Sequence, residues 1–129
     1  MSKLFLITGA AGFIGSALVR RLIKNGERVI GIDNLNDYYN PTLKEARLSR
    51  INSMSKPDSW SFYKLDIENK ESIENLFKEE RPKVVVNLAA QAGVRYSIEN
   101  PGAYIQTNLV GFGHILEACR KFDVENLIY

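Results

Sequence analysis

The chain has 129 residues, enough for one domain with a buried core, and its 45% apolar and 25% charged residues are ordinary for a globular protein. A net charge of +2 without any Lys/Arg cluster argues against nucleic acid or a membrane surface as partner. The single Cys119 excludes an internal disulfide, no apolar run nears the roughly 20 residues of a bilayer span, and Met1-Ser2-Lys3-Leu4 leads at once into a strand, so no signal peptide and a cytoplasmic location are expected.

Residues 3–8 are predicted as a strand buried on both faces, from the continuous apolar run Leu4-Phe5-Leu6-Ile7. Glycines 9, 12 and 15 follow with the spacing G-x-x-G-x-x-G, one residue different from G-x-G-x-x-G. A helix is predicted from about Phe13 to Asn25, with Ile14, Leu18 and Leu22 repeating every four residues and Gly26 as its left-handed C-cap. A strand, a tight glycine turn and a helix start are the parts of a pyrophosphate site. Gly9 allows the sharp turn, Gly12 lets backbone N–H groups approach an anion, and Gly15 permits close packing of helix on strand. Taken alone, such a turn is also an ordinary loop.

Residues 28–32 predict a second strand ending on Asp33, 24 residues after Gly9 and 18 after Gly15. A carboxylate there accepts hydrogen bonds from ribose hydroxyls and repels a 2′-phosphate, which favours NAD over NADP. Without the glycines upstream, Asp33 is equally a turn acid ahead of Asn34. Residues 34–40 are a polar loop carrying Tyr38 and Tyr39. Asn40-Pro41 starts a short helix with Leu43, Ala46, Arg47 and Ile51, and Lys44, Arg47 and Arg50 are read as a solvated basic face rather than a phosphate contact.

After a loop over 52–59, residues 61–65 predict the third strand, which ends on Asp66-Ile67. Asn69 caps a helix with Ile73, Leu76 and Phe77 as its apolar face, stopped by Arg81-Pro82. Residues 84–90 are the most β-like run and predict the central strand. Its small-residue exit, Ala89-Ala90-Gln91-Ala92-Gly93, leaves room for a flat ligand. One long helix is predicted from Asn100-Pro101 to about Phe122, with Gly111 and Gly113 inside it as close-packing points, and residues 126–129 begin a fifth strand.

Strand and helix alternate throughout, so the expected fold class is α/β: a Rossmann-like, doubly wound parallel sheet, truncated at about the fifth strand, with residues 1–129 as one NAD-binding portion. Ligands of such sheets sit at the carboxyl ends of the strands, at the switch point between strands one and four. The glycine turn, Asp33 and the Ala-rich exit all fall there.

T-G-A-A-G-F-I-G at 8–15, D-N-L at 33–35, D-I at 66–67, N-L-A-A-Q-A-G at 87–93 and N-L-V-G at 108–111 resemble the extended short-chain dehydrogenase/reductase family across all 129 residues. Within it they resemble the nucleotide-sugar epimerases and dehydratases. G-I-D-N-L-N-D-Y-Y at 31–39, L-K-E-A-R-L at 43–48 and A-G-V-R-Y-S-I-E-N-P at 92–101 are most similar to UDP-glucuronate 4-epimerases. The resemblance implies NAD as cofactor, with Gly9, Gly12, Gly15, Phe13 and Ile14 at its pyrophosphate. It implies Asp33 and Asn34 at the adenosine ribose with Asn36 nearby, Asp66 and Ile67 at the adenine, and Leu88, Ala89, Ala90 and Gln91 towards the nicotinamide. Asn108 falls where it helps to organise the active site, or else caps a buried backbone group. Arg95, on the loop leaving the central strand, is either a bidentate partner for an acidic sugar's carboxylate or a solvated loop residue. Asn87 stands where many members have His. His114 and Cys119 are read as packing residues, and one His with one Cys makes no metal site.

The implied reaction converts UDP-glucuronate to UDP-galacturonate through a 4-keto intermediate, with hydride passing to NAD and back and a Tyr taking the hydroxyl proton. The family's Tyr-x-x-x-Lys pair is missing here. Four places after Tyr38, Tyr39, Tyr63, Tyr96 and Tyr104 stand Thr42, Leu43, Ile67, Asn100 and Asn108, and Tyr129 is the last residue. The Ser/Thr that follows the fifth strand and a C-terminal sugar-binding part are missing too. The sequence therefore reads as the N-terminal, inactive piece of an isomerase. A piece of a nucleotide-sugar 4,6-dehydratase, or a short non-catalytic NAD-binding module, are the other readings. The implied partners are a UDP-sugar and a second copy of the chain, since members commonly dimerise through the long helix.

Overall fold

Five parallel strands, β1 (Leu4–Thr8), β2 (Arg28–Asp33), β3 (Trp60–Lys64), β4 (Val84–Asn87) and β5 (Asn126–Ile128), pair in the order β3-β2-β1-β4-β5 in a computed structural model that describes residues 3–129. Met1 and Ser2, read above as leading into the first strand, lie outside the described residues. Side chains alternate across the pleat. Leu6, Ile30, Ile32 and Val85 serve one face, and Ile7, Val29, Val84 and Val86 the other. This double burial explains why the central strands β1, β2 and β4 read as mostly apolar runs rather than alternating ones.

Each face is covered by two helices. Val19 of α1 (Phe13–Lys24) and Ile51 of α2 (Pro41–Met54) join the Ile7 side. Ile73, Leu76 and Phe77 of α3 (Lys70–Glu80) join the Leu6 side, with Ile115 and Ala118 of α6 (Phe112–Lys121). Each of these side chains except that of Ala118 contributes about 1.5–3 kcal/mol by leaving water. The α/β doubly wound parallel sheet expected from the sequence is what forms. β1 and β4 are neighbours, so the switch point lies between them.

The helix starts follow their caps. The Asn40 side chain accepts from Thr42 N–H and the Asn69 side chain from Ser72 N–H, as asparagine N-caps do. Gly26 takes φ +85° after α1, the left-handed exit expected of it.

Four local expectations are corrected. β3 begins at Trp60, one residue early, because Trp60 pairs with Val29. β4 stops at Asn87, since the Thr8 hydroxyl accepts from Leu88 and Ala89 N–H at 3.0 Å each and draws the chain off the ladder. The stretch after Gly93 is not all loop: Val94–Glu99 form a short helix, α4. The long helix is composite, with α5 (Pro101–Tyr104), a π-helical segment over Ile105–Gly111, and then α6.

Gly111 is a close-packing point, because a Cβ there would lie 2.6 Å from Ile67 Cγ1. Gly113 is not: a Cβ would meet nothing within 4 Å. Gly113→Ala is therefore expected to raise stability by about 0.5–1 kcal/mol through helix propensity alone. A urea melt with an unchanged or lowered midpoint would contradict this. Burial pushes the Cys119 thiol up to about 11, so it is protonated at neutral pH. Among the described residues, no helix is long and apolar enough to cross a membrane.

Candidate functional site

The carboxyl ends of β1, β2, β3 and β4 open into one cleft, continuous with solvent. Its floor is the turn after β1, where Gly9 takes φ +71° and Gly12 donates to Gly9 O at 3.0 Å. α1 starts after Gly12 with no side-chain cap, unlike α2 and α3, which Asn40 and Asn69 cap, and it has no acid in its first turn. The first N–H groups of α1 are thus left for an external acceptor, and the positive helix end favours an anionic one.

One end of the cleft is polar and tightly wired. Asp33 is buried and takes Ala11 N–H on Oδ2 at 3.1 Å, and Leu35 N–H and Lys44 Nζ on Oδ1 at 2.9 and 3.1 Å. Lys44 also reaches Asn36 Oδ1 at 3.4 Å, Asn36 N–H donates to Asn34 Oδ1, and Asn34 Nδ2 donates to Asp66 Oδ2 at 3.2 Å. Leu35 makes its bond from a left-handed φ of 54°, a strain of order 1–3 kcal/mol for a residue other than glycine. The other Asp66 oxygen accepts from Glu68 N–H. Desolvation raises the Glu68 pKa, and the Asp66 charge adds to the rise.

The opposite end is built from Leu88, Ala89, Ala90, Gln91 and Ala92, with Thr107 facing them. It leaves the sheet through Thr8, fully buried, whose hydroxyl donates to Asn87 Oδ1 at 2.5 Å. Asn108 braces it from outside: its Oδ1 accepts from Gln91 N–H at 2.8 Å and its Nδ2 donates to Gln91 O at 3.1 Å.

The structure brings Gly9, Gly12, Asp33, Asn34, Asn36, Asp66, Ile67, Leu88, Ala89, Ala90 and Gln91 onto this one cleft. Other expected site residues lie elsewhere. Gly15 is buried behind the turn as a packing residue. Phe13 and Ile14, 80% and 66% exposed, line a separate groove with Arg20, Arg47 and Arg50, so only their backbone belongs to the helix end. Asn108 acts through Gln91. Arg95 is corrected from a loop to α4, where it is exposed and outside the cleft lining, because Gly93 at φ +100° starts the helix before it.

Lys44 was missed. Read as part of a solvated face, it is the most buried charge of α2, its side chain 8% exposed against 6% for Asp33. Lys44, Leu48 and Ile51 share one helical stripe at i, i+4 and i+7, and that spacing carried the signal. Arg47 is only partly solvated, donating to Ala11 O at 3.2 Å. Lys44 and Arg47 thus hold the turn from both sides, one through Asp33 and one through the Ala11 carbonyl.

A family profile described as GDP-mannose 4,6 dehydratase matches residues 6–128. The chain belongs to this family. Protein CapI of Staphylococcus aureus is 56% identical over 124 residues, which make up 96% of this chain and 36% of that protein. The UDP-glucuronate 4-epimerase of Thermodesulfobacterium geofontis is 42% identical over 124 residues, 96% of this chain and 38% of its own length. The crystal structure of the UDP-glucose 4-epimerase of Thermus thermophilus in complex with NAD matches with a TM-score of 0.80 at 36% identity, over 98% of this chain and 36% of that one. The chain therefore spans little more than a third of the length of the curated relatives it matches. The resemblance drawn from 8–15, 33–39 and 87–101 agrees with these relatives, and the Rossmann-like sheet with the structural match.

Proposed function

We propose that the cleft is the NAD site of a nucleotide-sugar 4-epimerase, with UDP-glucuronate as its preferred substrate. One observation carries the reading: an uncapped glycine turn, a buried acid after β2 and a small-residue exit after β4 line a single cleft. The residues fit the cofactor. Gly12 offers an approach without a side chain, the α1 end offers N–H groups to a pyrophosphate, and Asp33 keeps an unshared Oδ2 lone pair for a ribose hydroxyl. Asp66 and Ile67 would flank the adenine, and Leu88 to Gln91 would run beside the nicotinamide half. Bound NAD supplies reversible acceptance of a hydride from a sugar carbon. The residues of this chain bind and orient; among its 129 residues no Tyr-x-x-x-Lys pair is present to move the hydroxyl proton.

The family description names a dehydratase, whereas the two epimerases named above are relatives of the other kind. The second-strand loop with its two tyrosines favours the epimerase, and UDP-glucuronate rather than another sugar is inferred from the name of the 42% identical relative. A cytoplasmic setting goes with the single cysteine. Taken by itself, the 129-residue chain is expected to bind NAD weakly and to turn over nothing, because the Tyr/Lys contacts of the nicotinamide end are not among its residues. Titration calorimetry with NAD and NADP tests this: micromolar or weaker NAD and no NADP is the expected result. Submicromolar NAD affinity would sink the weak-binding half, and NADP preference would sink the Asp33 assignment.

We also propose self-association. Ile105, Leu109 and Leu116, 52%, 68% and 45% exposed, run down the π segment and α6 as an apolar stripe of the kind that seeks cover. Light scattering should show dimers or larger species that Leu109→Glu converts to monomers. A monomer at all concentrations would argue against this surface.

A further inference from the structure

We infer that Tyr38 is a clasp residue, closing the cleft over the middle of its ligand so that binding and release both wait for it to open. The inference rests on the NAD reading of the cleft. Tyr38 belongs to the loop between β2 and α2 and lines one wall. Its ring lies 5.1 Å from that of Tyr96 on α4, at an interplanar angle of 49°. Tyr96 is in turn 6.2 Å from Tyr104. The Tyr104 hydroxyl directs its one proton between Ala92 O, at 2.5 Å, and Gly93 O, fixing the loop that forms the other wall. Desolvation raises the Tyr104 pKa, and Tyr38 and Tyr96 add to it.

Gly93 shows how close the two walls come. A Cβ there would overlap the Tyr38 hydroxyl, and its φ of +100° suits glycine alone. β2 and β4 flank β1 in the sheet, so a Tyr38 contact with Tyr96 and Gly93 spans the carboxyl end of β1. Gly9 and Gly12, of the turn after β1, line the same cleft as Tyr38. A ligand long enough to reach from Asp66 to Gln91 has its centre under the bridge. The cleft is open to solvent elsewhere, but the middle of such a ligand seats only while the ring contact is broken.

A clasp and an ordinary ligand contact have different kinetic signatures. Losing a contact speeds release alone. Losing a clasp speeds entry and release together and leaves the affinity nearly unchanged. Tyr38 is 45% exposed, so shortening it does not endanger the fold. NAD association and dissociation rates of the 129-residue chain, measured by stopped flow, decide the matter. In Tyr38→Ala both rates are expected to rise roughly three- to tenfold, the range one aromatic pair supports. Tyr38→Phe keeps the ring and should match the parent chain. Unchanged rates in Tyr38→Ala, or a rise in dissociation alone, overturn the clasp while leaving the NAD reading intact. A parent chain that takes up no NAD overturns that reading, and the clasp with it.

Discussion

Lys44→Met is expected to lower the unfolding free energy by about 3 kcal/mol or more, the cost of leaving a buried carboxylate without its cation. Lys44 and Asp33 sit 3.1 Å apart with almost no solvent at either. Asp33 keeps only 7% of its surface exposed, so without the ammonium most of its charge falls to the backbone N–H groups of Ala11 and Leu35. For a domain of this size the loss corresponds to a fall in melting temperature of order 10 °C. Removing both charges, with Asp33→Asn added to Lys44→Met, should recover most of the stability, since no orphan charge remains. The double variant should not recover NAD binding, because the acceptor is gone. Arg50→Met, at an exposed position of the same helix, is the control and should shift the melt little. If Lys44→Met melts with Arg50→Met, the pair is not the buried one argued here.

Gly15→Ala is the second large effect. A Cβ at Gly15 would overlap the Gly9 carbonyl oxygen and lie 2.9 Å from its carbon and 3.2 Å from Ala10 Cα. Every atom in the way is backbone, so no side chain can swing aside. α1 must lift from the turn, at an expected cost of about 3 kcal/mol. The lift also displaces the N–H groups that face the cleft, so NAD binding should be lost under conditions where the variant still folds. Gly12→Ala, where a Cβ would stand 3.1 Å from Gly9 O, asks for a smaller adjustment and should melt between the two. Urea denaturation with calorimetry on the folded material measures both quantities. A Gly15→Ala chain as stable as its parent would show that helix and turn are not in the register described.

The strands and the glycine turn were legible because double burial writes itself as apolar runs and because few residues tolerate the turn's geometry. Asp33 was legible for its place at a strand end. The role of Lys44 was hidden by its residue type: lysines are seldom buried, and an i, i+4, i+7 stripe with Leu48 and Ile51 is easily discounted when it begins on a charge. The π segment and α4 depend on where Gly111 meets Ile67 and where Gly93 meets Tyr38, contacts between residues far apart in the chain. Arg95 left the expected loop for the same reason. Local periodicity carries no trace of such meetings.

The wiring from Ala11 through Asp33, Lys44, Asn36 and Asn34 to Asp66 has a thermodynamic consequence. Its groups are ordered before any ligand arrives, so little rotamer entropy remains to be lost at that end. At the other end Ala89, Ala90 and Ala92 lose little for another reason, having no side-chain rotamers to surrender. The cleft joins a preset template, which rejects what does not match its donors and acceptors, to a smooth slot with few such demands. Selectivity should therefore reside at the Asp33 end, and tolerance of varied ligand shape at the end beside Ala89 and Ala90.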